Sequence, residues 1–198
     1  MESQETDWRR RRLSANFSAA DLLEAGETWA TARVENKPSQ EATWEALAQL
    51  CEEILEPIRA KFGPPRITYG FSSDALTRKI RSEAKSKGVH SHISPDDDQH
   101  AGHELKRNGD PVCKHLGQAV DFCVPGISSA KLALWMAEQR LPFDSLYFYG
   151  PDKPLHVSVG PKNRRSMWAL LPTKSGLRGP PRGLTEAWLR PQLNPTVA

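Results

Sequence analysis

The clearest pattern in the chain lies between Trp44 and Phe62, where Trp44, Leu47, Leu50, Ile54, Ile58 and Phe62 recur at steps of three and four. That spacing predicts an α-helix with one buried stripe. Pro57 falls inside the stripe. It has no amide hydrogen, so a kink or a shortened helix is expected there. Upstream, Ser18 followed by Asp21, Leu22 and Leu23 predicts a short capped helix that Gly26 can end. Gly63-Pro64-Pro65 breaks the pattern, and Arg66 to Phe71 reads as a strand. Asp74 to about Lys85 has helical character, and Ser86 to Asp98 is polar and loop-like. Gln118 to Val124 reads as a central strand stopped by Pro125-Gly126. Ser128 and Ser129 can cap a helix through Leu132, Leu134, Trp135 and Met136. Phe143 to Tyr149 and Leu155 to Val159 then read as two strands around a Gly150-to-Pro154 turn.

Helices first, then strands interleaved with one more helix, predict an α+β domain: a small, mostly antiparallel sheet with flanking helices. Residues 1–14 read as a flexible basic arm, 15–171 as the domain, and 172–198 as a Pro/Gly/Arg-rich tail that Trp188 and Leu189 can pin to the body. There is no internal repeat. A length of 198 residues at 38% hydrophobic fits one domain with a modest core. The apolar runs fall far short of the roughly 20 residues that a membrane helix needs. The N-terminus lacks the apolar core of a signal peptide, so a cytoplasmic protein with no membrane partner is expected. Cys51, Cys113 and Cys123 are an odd number with no CxxC pair, which predicts reduced thiols and no cysteine-rich zinc site. The net charge of +3 is uneven: from Lys162 onward seven cations face Glu186 alone. Such an end is either a solvated tail or a surface for phosphates or an acidic partner.

Three spaced signals carry the chemistry: Asp98-Gln99-His100, Gly117-Gln118-Ala119-Val120-Asp121, and Leu155-His156-Val157-Ser158. Two imidazoles and one carboxylate suit a three-ligand zinc site whose fourth position holds a water. His90 and His92 read as parts of a polar loop. The run Asp96-Asp97-Asp98 has oxygens that suit a hard cation, but it lacks the glycine and spacing of a calcium loop and reads as solvated. Tyr147, Phe148 and Tyr149 read as strand packing.

The order of these signals resembles the zinc D-Ala-D-Ala carboxypeptidase family, the DD-peptidases that share a fold with the hedgehog signalling domain. Ile67-Thr68-Tyr69-Gly70-Phe71-Ser72-Ser73 stands where that family reads I-T-S-G-Y-R-S. Asp98-Gln99-His100 is similar to its S-Q-H, Gly117 to Asp121 to its G-x-A-x-D, and Phe143-Asp144 with His156-Val157-Ser158 to its F-D…H-V-S. Phe17-Ser18 with Asp21-Leu22, Asn36-Lys37-Pro38, and Leu55 to Arg59 with Phe62-Gly63 resemble its N-terminal helices. The likeness spans about residues 16 to 160. It implies one Zn2+ on His100, Asp121 and His156, with a family-atypical insertion from about His103 to Lys114. His103 and His115 are the substitutes for the first ligand.

Two positions depart from the family. Its catalytic Glu falls on Tyr149 here, and its substrate-gripping Arg falls on Ser72, next to Ser73. A phenol of pKa near 10 is a poor proton carrier at neutral pH, and without the Arg a terminal carboxylate loses its bidentate partner. Glu104 is the first candidate replacement for the acid–base group, because a helical turn would set it at i,i+4 from His100, and Tyr149 is the second. The resemblance thus implies a divergent zinc hydrolase acting on an amide of a peptide-like or peptidoglycan-like substrate. The competing expectation is an inert binding module with structural zinc, holding a protein partner or, through its basic end, nucleic acid.

Overall fold

The computed structural model describes residues 8–32, 34–88, 98–173 and 179–193. Five helical segments precede or flank the first strand: α1 (Ala19–Leu23), α2 (Glu27–Ala32), α3 (Glu41–Leu50), α4 (Glu56–Phe62) and α5 (Asp74–Ser86). Strands β1 (Arg66–Tyr69) and β2 (Gln118–Cys123), helix α6 (Ser129–Glu138), strands β3 (Ser145–Phe148), β4 (Leu155–Val159), β5 (Ser166–Ala169) and β6 (Arg182–Gly183), and helix α7 (Glu186–Leu189) complete it. Among the described residues no helix is long and apolar enough to cross a membrane.

The six strands lie in the order β1-β2-β4-β3-β5-β6. β3 and β5 run parallel and the other neighbouring pairs antiparallel. The fold is α+β, but the sheet is mixed, which corrects the expected mostly antiparallel one. The parallel pair arises because the chain leaves β4, crosses the start of β3 within residues 160–165 and returns on its other side. Asp144 secures this crossing: its carboxylate accepts from the Arg164 amide at 3.1 Å and from the Arg164 guanidinium.

Alternation along the strands gives the sheet two different faces. Val120, Phe122, Leu146, Phe148, Leu155, Val157 and Ala169 are buried in one core cluster with the helices. The opposite face carries two rows set by the register: Ala119, Ser158, Ser145 and Ser166, and beside it Asp121, His156, Tyr147 and Trp168. The first row is built only of small side chains, which leaves room for another segment to lie on it.

The predicted Trp44-to-Phe62 stripe is a continuous helical rod, with Trp44, Leu47, Leu50, Ile54 and Ile58 buried. Where a kink or stop was expected, Cys51–Leu55 forms a π-helical turn and α4 begins at Glu56, directly before Pro57. The Glu56 amide bonds to the Cys51 carbonyl, so the widened turn takes up the proline and the rod continues. At α1, the amide and hydroxyl of Ser18 donate to Asp21 at 2.7 Å, the cap that the sequence predicts.

Both described ends lie on the body. Leu13 is buried, and Trp8 stands 6.5 Å from Trp44. Leu184 and Leu189 are buried, and Trp188 packs edge-on against Phe148 at 5.8 Å. His90, His92, Asp96 and Asp97 lie outside the described residues, as do Lys174 and Arg178 of the basic end.

Candidate metal centre

β2 and β4 bring two of the candidate ligands together by register alone, since Asp121 is the direct partner of His156. Asp121 Oδ1 lies 2.7 Å from His156 Nδ1. His100 arrives from a 3-10 turn, Gln99–Ala101, that is laid over the row of small side chains. Its Nε2 is 3.5 Å from the same Asp121 oxygen. One ligand atom from each of His100, Asp121 and His156 falls within 4.8 Å of the others, so the three residues can hold a metal ion.

The outer nitrogens of both imidazoles are engaged, which fixes what the inner ones present. His100 Nδ1 is 2.7 Å from the Gly70 carbonyl, a pure acceptor, so Nδ1 carries the proton and Nε2 offers a lone pair toward Asp121. His156 Nε2 is 2.9 Å from Gln99 Oε1, leaving Nδ1 on the Asp121 side. Gln99 Oε1 also accepts from the Ser145 hydroxyl at 2.9 Å, which in turn bonds Ser158 at 2.7 Å. Outer partners of this kind orient metal-binding histidines. The donor set, two oriented imidazoles and a carboxylate, therefore fits zinc or another borderline divalent ion.

The electrostatics agree with a charged carboxylate at the centre. Burial alone would raise the Asp121 pKa, but the two imidazoles hold it well below the ordinary range. Burial works against charge on His100, and Asp121 overrides it, so the His100 pKa is raised. On His156, burial and the neighbouring His100 outweigh Asp121, so its pKa is lowered. Asp98 caps the 3-10 turn by accepting from the His100 amide at 3.0 Å. Burial pushes its pKa up, and its Oδ2 is buried without a hydrogen-bond partner among the described residues.

Two glycines permit the construction. Gly70 sits so close to α1 that a Cβ would stand 2.0 Å from the Leu22 carbonyl oxygen. Gly117 has φ +80°, and a Cβ on it would stand 1.9 Å from the Val159 carbonyl oxygen.

The remaining sequence-predicted residues are elsewhere or serve the frame. Glu104 is not in the cluster. Its carboxylate accepts from the Ser39 amide at 3.0 Å, the Gln40 amide at 3.2 Å and the Thr43 hydroxyl at 2.9 Å, and from the Ser39 hydroxyl, so it caps the start of α3. The expected helical turn that would aim it at the metal does not form; residues 104–112 fold back on themselves through an isolated Leu105–Pro111 bridge. His103 Nε2 accepts from the Gly117 amide at 3.0 Å, and His115 lines a cleft with Ser145 and Tyr147; neither belongs to the ligand group, so neither substitutes for His100. Ser72 is buried, its amide donating to the His100 carbonyl at 2.9 Å, and its hydroxyl pairs with Thr77. Ser73 caps α5. Tyr149 lies just past the end of β3, half-buried.

Sequence reasoning missed Gln99, Gly70 and two aromatics. Tyr69 sets its ring at a tilt against that of His100, 4.2 Å between centroids, with its hydroxyl buried and without a hydrogen-bond partner among the described residues. Tyr147 meets His156 edge-on at 5.1 Å. Gln99 had a signal, its place inside the quoted triplet beside His100; the aromatics had none short of the strand register. Comparison of the chain with protein-family models, with curated proteins and with solved structures finds no match.

Proposed function

We propose that His100, Asp121 and His156 bind one Zn2+ and that the protein is a divergent zinc-dependent hydrolase acting on an amide bond of a peptide-like substrate. One observation carries the reading: three residues far apart in sequence converge within 4.8 Å, and both histidines are held by outer hydrogen bonds in ligand-ready orientation. A purely structural salt bridge does not require both outer nitrogens to be anchored. A bound zinc ion supplies Lewis acidity and makes water a usable nucleophile at neutral pH. The chain's part is orientation. Gly70 and Gln99 set the imidazole planes, and Asp121 is the most exposed of the three, its side chain 23% exposed against 8% for each histidine.

A second reading has its own support. Glu104, the candidate acid–base group, is bound to Ser39, Gln40 and Thr43, and among the described residues the three-residue ligand group has Asp121 as its one carboxylate, Asp98 beside it being taken up in capping the turn. That favours a binding module with structural zinc, holding a partner through its surface or its basic end. Mass spectrometry of bound metal, run with a His156→Ala control, tests the zinc assignment. Hydrolysis of a panel of peptide amides by the zinc-loaded protein separates the two readings. About one zinc per chain with turnover abolished in His156→Ala supports the enzyme; zinc without turnover supports the module; no zinc in either sample sinks both.

A further inference from the structure

Helix α5 and the fold-back of residues 104–112 line a cleft of about 430 Å³ that contains none of the three candidate metal ligands. Arg78 and Arg81 reach it from α5, three positions apart and so on one face of the helix. Arg107 reaches it from the fold-back. That segment is an ordered turn: the Lys106 amide donates to the Asp110 carbonyl at 2.7 Å, the Gly109 amide to the Lys106 carbonyl at 2.9 Å, and the Val112 amide to the Glu104 carbonyl at 2.9 Å.

The charge in the cleft is unbalanced. Two carboxylates line it, and both are committed elsewhere. Asp74 pairs with Arg78 at 2.9 Å, and Glu104 is taken up by Ser39, Gln40 and Thr43 at the start of α3. Arg81 and Arg107 have no ion pair among the described residues. Like charges lining one cleft repel, and an anion shared between them removes that repulsion. Ser72 and Thr77 line the same space with their hydroxyls 2.9 Å apart. One O–H donates to the other oxygen, so the second proton is left for another acceptor. Leu105, 50% exposed, and Val112 add an apolar surface beside these polar groups.

This combination selects among anions. A phosphate monoester carries about −1.5 to −2 charges at neutral pH and three acceptor oxygens. That is enough to engage two guanidinium forks and a hydroxyl together. A carboxylate, with one charge and two oxygens, satisfies a single guanidinium. An organic group esterified to the phosphate can lie on Leu105 and Val112, which a bare inorganic anion would leave open to water.

We propose that this cleft binds a small phosphomonoester, with Arg81 and Arg107 holding the phosphoryl oxygens and Leu105 covering the organic part. The site contains no metal ligand, so it stands or falls independently of the zinc hydrolase reading.

Titration calorimetry and phosphorus NMR on the full chain test it, with phenyl phosphate, inorganic phosphate and benzoate as probes, each with zinc added and again after a chelator. Phenyl phosphate is expected to bind in both conditions, at least tenfold tighter than benzoate and tighter than inorganic phosphate. Arg81→Gln and Arg107→Gln, both at exposed positions outside the core, should each weaken it tenfold or more. Leu105→Ser should bring phenyl phosphate down to the level of inorganic phosphate and leave inorganic phosphate unchanged. Zinc content should stay at the wild-type level in all three variants. Absence of phenyl phosphate binding, equal binding of benzoate, or unchanged binding in both arginine variants overturns the proposal. Binding that disappears with the chelator puts the phosphate on the metal and overturns it as well. A single-stranded oligonucleotide that binds where phenyl phosphate does not would overturn it in favour of a nucleic-acid surface.

Discussion

Asp121 and His156 face each other as direct partners on adjacent antiparallel strands, with Asp121 Oδ1 2.7 Å from His156 Nδ1. The pairing means that the backbone ladder, rather than a flexible loop, sets the distance between two of the three candidate ligands. Only His100 is delivered by a turn, and that turn is fastened at its start: Asp98 caps it, and Gln99 is hydrogen-bonded to Ser145 and His156. The centre is thus preorganised on the sheet, which is the condition for a metal to bind without a large ordering cost.

Asp121→Asn tests the centre directly. The amide keeps the shape but removes the negative charge that faces both buried imidazoles. Bound zinc, measured by mass spectrometry after zinc addition, is expected to fall from about one equivalent to a small fraction. Metal content equal to wild type would remove the site assignment.

Gln99→Leu separates the ligands from their support. The leucine fills similar space but cannot accept from His156 or Ser145. Loss of an outer hydrogen bond of this kind costs about 10–100-fold in metal affinity, so calorimetric titration of zinc should show a drop of that size with the far-UV spectrum unchanged. Equal affinity would mean that Gln99 does not orient His156.

Much of this architecture is legible in the sequence, and the illegible parts share a cause. The Trp44-to-Phe62 stripe, the Ser18 and Ser128 caps and the strands around Asp121 and His156 follow from local periodicity and turn chemistry. β5 was not predicted, because Ser166-Met167-Trp168-Ala169 is short and lacks an alternating pattern, and it becomes a strand by pairing with β3. The same long-range pairing creates the small-residue row and the aromatic neighbours of His156, and neither is visible before the register is known. Glu104 was misread because the i,i+4 argument presumed a helix; the chain turns back after Ala101, and the carboxylate instead meets the free amides at the start of α3.

Glu104→Ala follows from that correction. Removing a helix cap costs about 1 kcal/mol, so denaturant titration should show a loss of this order, with zinc affinity unchanged. Unaltered stability together with abolished amide hydrolysis would restore Glu104 as the acid–base group.

Asp144 gives a pH dependence with a definite sign. Burial would raise its pKa, but the hydrogen bonds and charge of Arg164 win and hold it below the ordinary carboxylate value. A group whose folded pKa is depressed stabilises the fold above its unfolded pKa, near 3.9, and that contribution is lost as pH falls through the folded value. Arg164→Met should therefore lower stability by about 1–2 kcal/mol at pH 7, allowing for the half-exposed guanidinium. The gap to wild type should close as pH falls through the depressed folded value. A gap independent of pH would mean that the crossing between β4 and β5 is held by packing and not by this ion pair.

The motif Gly117-Gln118-Ala119-Val120-Asp121 joins the fold and the centre most tightly, because each odd position has a separate steric or chemical task. Asp121 faces His156; Ala119 keeps the adjacent row small where the Gln99 turn lies; Gly117 allows the chain to enter β2 hard against the end of β4. An alanine at 117 would be strained at φ +80° and would push its Cβ to 1.9 Å from the Val159 carbonyl oxygen. Since Val159 pairs with Gln118, relief must come from moving β2 relative to β4, and that movement separates Asp121 from His156. Gly117→Ala is accordingly expected to lower the melting temperature and the zinc affinity together, by about 2–3 kcal/mol of stability and at least tenfold in affinity. Ala119→Ser, which enlarges the row by one atom without touching the register, should leave the melting temperature nearly unchanged and serves as the control. Were Gly117→Ala to lose stability while binding zinc as tightly as wild type, the ligand spacing would not depend on the β2–β4 register, and the premise that the sheet itself builds the site would fail.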